Sequence, residues 1–249
     1  SGDLEIIVAE NTGQNVFWEF AVHRPPFNDR RARLAVGHAT DPSTAIDLIY
    51  GDLSIPEACP VSRGVFGNDQ EFCKKYRPDY DPEKAKALLA EMGFGEDNPL
   101  ETALIVWTGG NRQKLAEIFQ AQLAEVNIKA EIEIMDIGSM NARVRQENEN
   151  KSGTKGSMDM MTWSWYDPDI LYALWHTPGA YRGYTTPELD KLLEETRVLS
   201  DPADRKAVVQ EVFKHLLENG VHIPLYTPGW EWVFAVSPEV KGFMVAPFV

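Results

Sequence analysis

Apolar and polar positions along this chain change period repeatedly, from the two-residue alternation of strands to the three-to-four-residue recurrence of helices. LEIIVAE (residues 4–10) and NVFWEFAV (15–22) are short, apolar and rich in aromatic and β-branched residues, which predicts strands; Pro25-Pro26 cannot continue a ladder. DRRARLAVGHAT repeats its apolar residues at helical spacing through Leu34, Ala35 and Ala39. Asp41-Pro42-Ser43 caps the next helix, STAIDLIYG, which Gly51 ends. The stretch from Asp52 to Tyr80, dense in Pro, Gly and charge, reads as a long loop of the kind that carries function or a covalent staple. Asp81-Pro82-Glu83 opens a helix with a cap, a first-turn proline and an acid that complements the helix dipole.

A strand at TALIVW and a turn over Thr108 to Asn111 lead to a long helix. Its Leu115, Ile118, Phe119, Leu123 and Val126 form one apolar stripe. IKAEIEIMDI alternates with period two, a half-buried strand, and NARVRQENENKSGTKGS predicts a polar helix running out into a flexible tip. After the strand MDMMTWSW come two capped amphipathic helices, TPELDKLLEETRVL and DPADRKAVVQEVFKHLLENG; VHIPLYT and WVFAV close the chain as strands. Strands alternate with helices nearly throughout, so the fold class is α/β with a mixed sheet. The strands around Leu104, Ile132, Met160 and Ile223 are expected in one sheet.

Composition narrows the function classes. The 249 residues are 43% hydrophobic, enough for a sizeable core, and carry a formal charge of −14. An acidic surface argues against nucleic acid, whose phosphates need a basic footprint, and against an anionic membrane face. No run of eighteen apolar residues occurs, so no membrane-spanning helix is expected. The five histidines have no metal-ligand spacing, and no phosphate-binding loop, dinucleotide fingerprint or nucleophile elbow is present. The reading is no catalytic residue, no metal and no cofactor. Cys59 and Cys73 are two unrelated thiols in a reducing compartment or a pair in an oxidising one, and their spacing does not choose.

TWSWYDPDILYALW, residues 162–175, concentrates three tryptophans and two tyrosines. Tyr172 and Trp175 follow helical spacing and read as core. Trp163 and Trp165 lie two apart on a strand, point to one face, and would make a flat amphipathic platform if that face lines a cleft. Trp230 and Trp232 share a strand face in the same way. Asp167-Pro168-Asp169 reads as a helix start, with Asp167 as N-cap.

Three stretches taken in order carry a family likeness: RPPFNDRRARLAVGHATDPSTAIDLIYG, YDPEKAKALLAEMGF, and YTTPELDKLLEETRVLSDPADRKAVVQEVFKHLLENGVHIPLY with EVKGF after it. Together they resemble the extracellular solute-binding proteins of family 5, the peptide-, nickel- and oligosaccharide-binding components of ABC importers. The resemblance implies a two-lobed fold of the type II periplasmic-binding-protein kind, whose lobes close on a small-molecule ligand and deliver it to an ABC permease in the membrane. It implies a periplasmic or extracellular monomer that binds no nucleic acid, exported by a signal peptide outside this sequence. It further implies that the chain is one lobe of a longer protein: residues 1–22 as hinge-proximal strands, 23–228 as the second substrate-binding lobe, and 229–249 as the return toward the first. In an oxidising compartment Cys59 and Cys73 are expected to pair. The ligand-binding residues carried over are Trp163, Ser164, Trp165, Tyr166 and Asp167. Tyr166 stands where peptide-binding members carry the aspartate that meets the peptide's amino terminus, and Met160 where some carry an arginine. Both departures point away from a zwitterionic peptide. A ligand sensor or chaperone-like protein with the same fold is the alternative reading, and a carbohydrate-active enzyme a further one.

Overall fold

In the computed structural model, which describes residues 4–8, 13–151, 153, 155–179, 181–228 and 233–243, six strands form one mixed sheet in the order β3-β7-β2-β6-β4-β5. These are β2 (Gln14–Phe20), β3 (Ser54–Pro56), β4 (Leu100–Trp107), β5 (Ile128–Met135), β6 (Ser157–Ser164) and β7 (Ile223–Pro228). β4 pairs in parallel with β5 and β6, while β2 runs antiparallel to both β6 and β7. Leu104, Ile132, Met160 and Ile223 therefore lie in one sheet, as the periodicities predict. β1 (Glu5–Val8) pairs instead with β8 (Val233–Val236) as a separate antiparallel ribbon. Of residues 1–22, expected as hinge-proximal strands, Glu5–Val8 form β1 of the separate ribbon and Gln14–Phe20 form β2, a buried strand of the main sheet.

Helices cover both faces of the sheet. On one side Trp18, Phe20, Leu104, Val106, Met158 and Met160 meet the helices α1 (Arg30–Ala39) and α5 (Arg112–Glu125) in the large core. Leu115, Phe119, Leu123 and Val126 of the predicted stripe are fully buried there, and Trp18 meets Phe119 edge-on. On the other side Phe17, Ile105 and Met161 pack with Met140 of α6 (Ile137–Glu149) in a smaller cluster. The helices α2 (Pro42–Tyr50), α4 (Pro82–Glu91), α8 (Pro187–Val198) and α9 (Pro202–Glu218) each begin with proline after an Asp or Thr whose side chain caps the first turn.

The long segment 52–80 is more ordered than its composition suggests. It contains β3, which adds an edge to β7, a short helix α3 (Gln70–Cys73), and a disulfide between Cys59 and Cys73. A three-residue strand paired with a distant partner leaves no periodic signal, which is why sequence pattern misses it.

Candidate functional site

The parallel strands β4, β5 and β6 end on the same side of the sheet, at Trp107, Met135 and Ser164. β2 begins there, since Gln14 is paired with Ser164, and β7 finishes there, with Pro228 opposite Ser54. In open α/β sheets the loops beyond the carboxyl ends of parallel strands are where ligands are held.

Trp163 is the penultimate residue of β6, opposite Asn15 in the ladder. Its ring meets Tyr181 edge-on with centroids 5.4 Å apart, and the Tyr181 hydroxyl donates to Asn141 Oδ1 at 2.6 Å. Burial pushes the Tyr181 phenol well above its ordinary range, so it stays a neutral donor. Trp165 lies one residue beyond β6, and its amide extends the ladder by one bond to the Gly13 carbonyl at 3.1 Å. Trp165 is 53% exposed and Tyr166 44% exposed; Ser164 is exposed as well. Gly13 is required here: its φ is +67°, and a Cβ would stand 3.0 Å from the Tyr166 ring.

The predicted shared face is only partly realised. Trp163 is half-buried and Trp165 protrudes, yet both line one crevice between the end of the sheet and α7 (Ile170–Trp175). Trp175 is core, 1% exposed, while Tyr172 is half-buried, stacked on His176 and covered by Arg197 at 4.1 Å. Trp230 and Trp232 lie outside the described residues.

Asp167 does not cap α7; Asp169 stands at that position, without a side-chain cap bond. Asp167 accepts the Asp169 amide at 2.9 Å and holds the Arg205 guanidinium with both oxygens, at 2.6 and 3.0 Å. Partial burial would raise its carboxyl, but the Arg205 hydrogen bonds and charge outweigh this and hold it below the usual carboxylate range. A bidentate arginine pair is a strong, directional contact, and it turns this carboxylate away from the role of ligand for a cation. Asp169 is likewise paired, with Arg197 at 2.9 Å.

Behind the site lies a charged cluster that the sequence pattern does not reveal. Arg182, fully buried, contacts Asp159 of β6, reaches Glu147 of α6 at 3.3 Å and faces Glu19 of β2 at 3.9 Å. Ser157 and Arg143 also donate to Glu147, at 2.7 and 2.9 Å. The one visible signal is acid within apolar strands, at Glu19 and Asp159; nothing local marks Arg182 as their partner. The cluster ties β2, β6 and α6 to the loop that carries Tyr181, and so sets the back wall of the Trp163 ring.

A larger depression of about 850 Å³ lies at the opposite end of the sheet, around Arg30, Phe94, Leu100 and Glu101. It is shallow, and most of its charges are already engaged, Arg31 with Asp29 and Glu91, Lys155 with Glu101, and Arg30 with the Glu218 carbonyl. The aromatic end of the sheet, at the strand termini, is the better-built site.

Residues 2–182 match the model of bacterial extracellular solute-binding proteins, family 5. The chain is 29% identical over 237 residues to the di/tripeptide-binding protein 2 of Pseudomonas aeruginosa, covering 89% of this chain and 41% of that protein. It is 27% identical to the glutathione-binding protein GsiB of Escherichia coli, covering 91% of this chain and 44% of the relative. It thus spans less than half the length of these relatives. Among solved structures, HbpA2 of Haemophilus parasuis superposes with a TM-score of 0.82 at 24% identity over 99% of this chain and 48% of that one. The oligopeptide-binding protein AppA of Bacillus subtilis gives 0.82 at 20% identity, over 98% and 50%. With more than half its residues inside the family model and its fold superposing on about half of each of these two structures, the chain belongs to the bacterial extracellular solute-binding proteins, family 5.

Proposed function

We propose that this chain is the second lobe of the substrate-capturing component of an ABC-type importer. In this reading it acts as an exported monomer in the periplasm or at the cell surface. It holds a small peptide-like or oligosaccharide-like solute against Trp163, Ser164, Trp165 and Tyr166 and presents it to a membrane permease without chemical change. The observation that carries the reading is the exposed aromatic surface of Trp165 and Tyr166 just beyond the carboxyl end of β6, at the end of the sheet where the parallel strands β4 and β5 also finish. Large exposed aromatics stack on sugar rings, peptide planes and aromatic side chains, and burying them between two lobes would supply affinity. The names of the relatives, which bind di- and tripeptides and glutathione, support small peptide-like solutes first. Asp167, engaged by Arg205, contributes geometry rather than a contact to an ammonium group.

The test is a thermal-shift screen of the intact protein against dipeptides, tripeptides, glutathione and oligosaccharides. A tight ligand raises the unfolding temperature by mass action, by about 2.7 kcal/mol of stabilisation at a hundredfold excess over Kd. One class should stand out, and Trp165→Ala should remove its shift. A hit whose shift survives Trp165→Ala unchanged would sink the site; turnover of the hit would sink the transport role.

A further inference from the structure

The crevice beneath the aromatic platform is lined by Asn15, Phe17, Ser62, Trp163, Trp165 and His222, among others. Four of these carry buried polar atoms that make no hydrogen bond among the described residues: Asn15 Oδ1, Ser62 Oγ, Trp163 Nε1 and both ring nitrogens of His222. Asn15, Ser62 and His222 are 3%, 1% and 1% exposed, so water outside the protein does not satisfy them. Orphaned buried polar groups are uncommon, and several around one crevice call for a hydrogen-bonding group from outside the fold, a water or part of a solute. We propose that this crevice is a subsite of the solute cleft that takes one uncharged hydrogen-bonding group, a hydroxyl or a primary amide, from the bound solute; this rests on the reading that the solute lies on Trp163 and Trp165.

The chemistry of the lining selects the group. Trp163 Nε1 only donates, Asn15 Oδ1 only accepts, and Ser62 and a neutral imidazole can each do either. A hydroxyl or amide matches both kinds at once, whereas a carboxylate brings no donor and an ammonium no acceptor. Among the described residues no charged side chain lines the crevice to compensate an ion, and burying an unpaired charge is costly. Burial holds the His222 imidazole neutral as well, with its pKa pushed down to about 3. The space is about 10 Å³, roughly that of one water, so only the tip of such a group enters, a hydroxyl oxygen or one polar atom of an amide, while its carbon and the rest of the solute stay at the lip. Trp165, more than half exposed, stands at the lip.

The lining is also held in place. The Asn15 amide nitrogen donates to the Cys59 carbonyl at 2.7 Å, which fixes the direction of its oxygen. Cys59 is tied to Cys73, and the chain passes directly from it through Pro60 and Val61 to Ser62. His222 is stacked on Phe17 with ring centroids 3.6 Å apart and meets Trp175 edge-on.

The experiment follows the indole N–H resonance of Trp163 in the intact protein, assigned by its loss in Trp163→Phe. Formamide and methanol are the neutral probes; formate and methylammonium are charged counterparts of nearly the same size. The neutral pair should give a saturable shift and the charged pair none, and Ser62→Val, which fills the crevice with a methyl group, should abolish it. Should Ser62→Val lower the unfolding temperature sharply, Ser62→Thr serves the same purpose with the hydroxyl kept. No shift with any probe, equal shifts with charged and neutral probes, or shifts that survive both variants would overturn the subsite. The outcome is independent of the solute screen: a screen that finds a ligand while the probes fail keeps the importer reading and discards the crevice.

Discussion

Two buried titratable residues, His222 and Glu19, give the fold a pH dependence that can be worked out by sign. Burial alone pushes the His222 ring from an ordinary 6.5 to about 3. Above pH 6.5 both folded and unfolded states carry a neutral ring; between 6.5 and 3 only the unfolded chain takes the proton, so stability falls as pH falls. Glu19 has the opposite sense. Burial, opposed by Arg182, raises its carboxyl from 4.5 to about 8, so between those values the folded state keeps a proton the unfolded chain has lost, and stability falls as pH rises. Each slope is at most about 1.4 kcal/mol per pH unit, and between 4.5 and 6.5 the two oppose one another. Urea unfolding should therefore show Glu19→Gln losing less stability than the parent between pH 6.5 and 8. In His222→Phe the same measurement should show stability rising relative to the parent as pH drops from 6.5 to 4.5. A variant profile parallel to the parent's would refute the corresponding assignment. The tryptophans divide at this scale too. Trp175→Ala empties the core and should cost about 3–5 kcal/mol, whereas Trp165→Ala, on the surface, should stay within about 0.5 kcal/mol in urea midpoints and lose solute binding instead.

Most elements are legible in the sequence because each carries its own punctuation. Asp81, Thr186 and Asp201 cap helices that the sequence already marks with a following proline, and the α5 stripe is buried as its spacing requires. Misreadings fall where a local rule meets a distant partner. Asp167 has the residue order of an N-cap, but Arg205, thirty-eight positions away, captures its carboxylate, and the helix starts two residues later. β3 exists only because β7 offers it an edge. The disulfide is open on spacing alone and expected only through the family's oxidising compartment; the structure closes it across a separation of 14 residues. In the chain-entropy model a loop of that size contributes about 3 kcal/mol. Cys59→Ala/Cys73→Ala should lower stability by about that amount in urea titrations, and the oxidised parent should show no reactive thiol when unfolded without reductant. A free thiol there would show that the bond does not form in the oxidised protein.

At the scale of the molecule, the parts of the site that sequence pattern reaches and the parts it misses have different physical origins. The aromatic stretch is visible because five large rings in fourteen residues stand out without any structure. The Arg182 cluster behind it is not, since its members come from β2, β6, α6 and the loop before α8, and only the folded chain brings them together. That cluster pins the strands behind the aromatic end to one another: removing Arg182 leaves the buried Asp159 without its ion-pair partner, at a cost of about 3–5 kcal/mol for breaking such a pair. Under the two-lobe reading, solute affinity comes from burying the ligand on both sides, and this chain alone offers one side to it. The chain has its own sheet, helices on both faces and a core packed against each face, so it should unfold as one cooperative unit when expressed by itself. For the solute found in the screen, calorimetry should then give the isolated chain an affinity at least tenfold below that of the intact protein. Equal affinities would show that the wall formed by Trp163, Trp165 and Tyr166 suffices and that closure of a second lobe adds nothing; no measurable heat with the chain, against tight binding by the intact protein, is what a clamp with one jaw predicts.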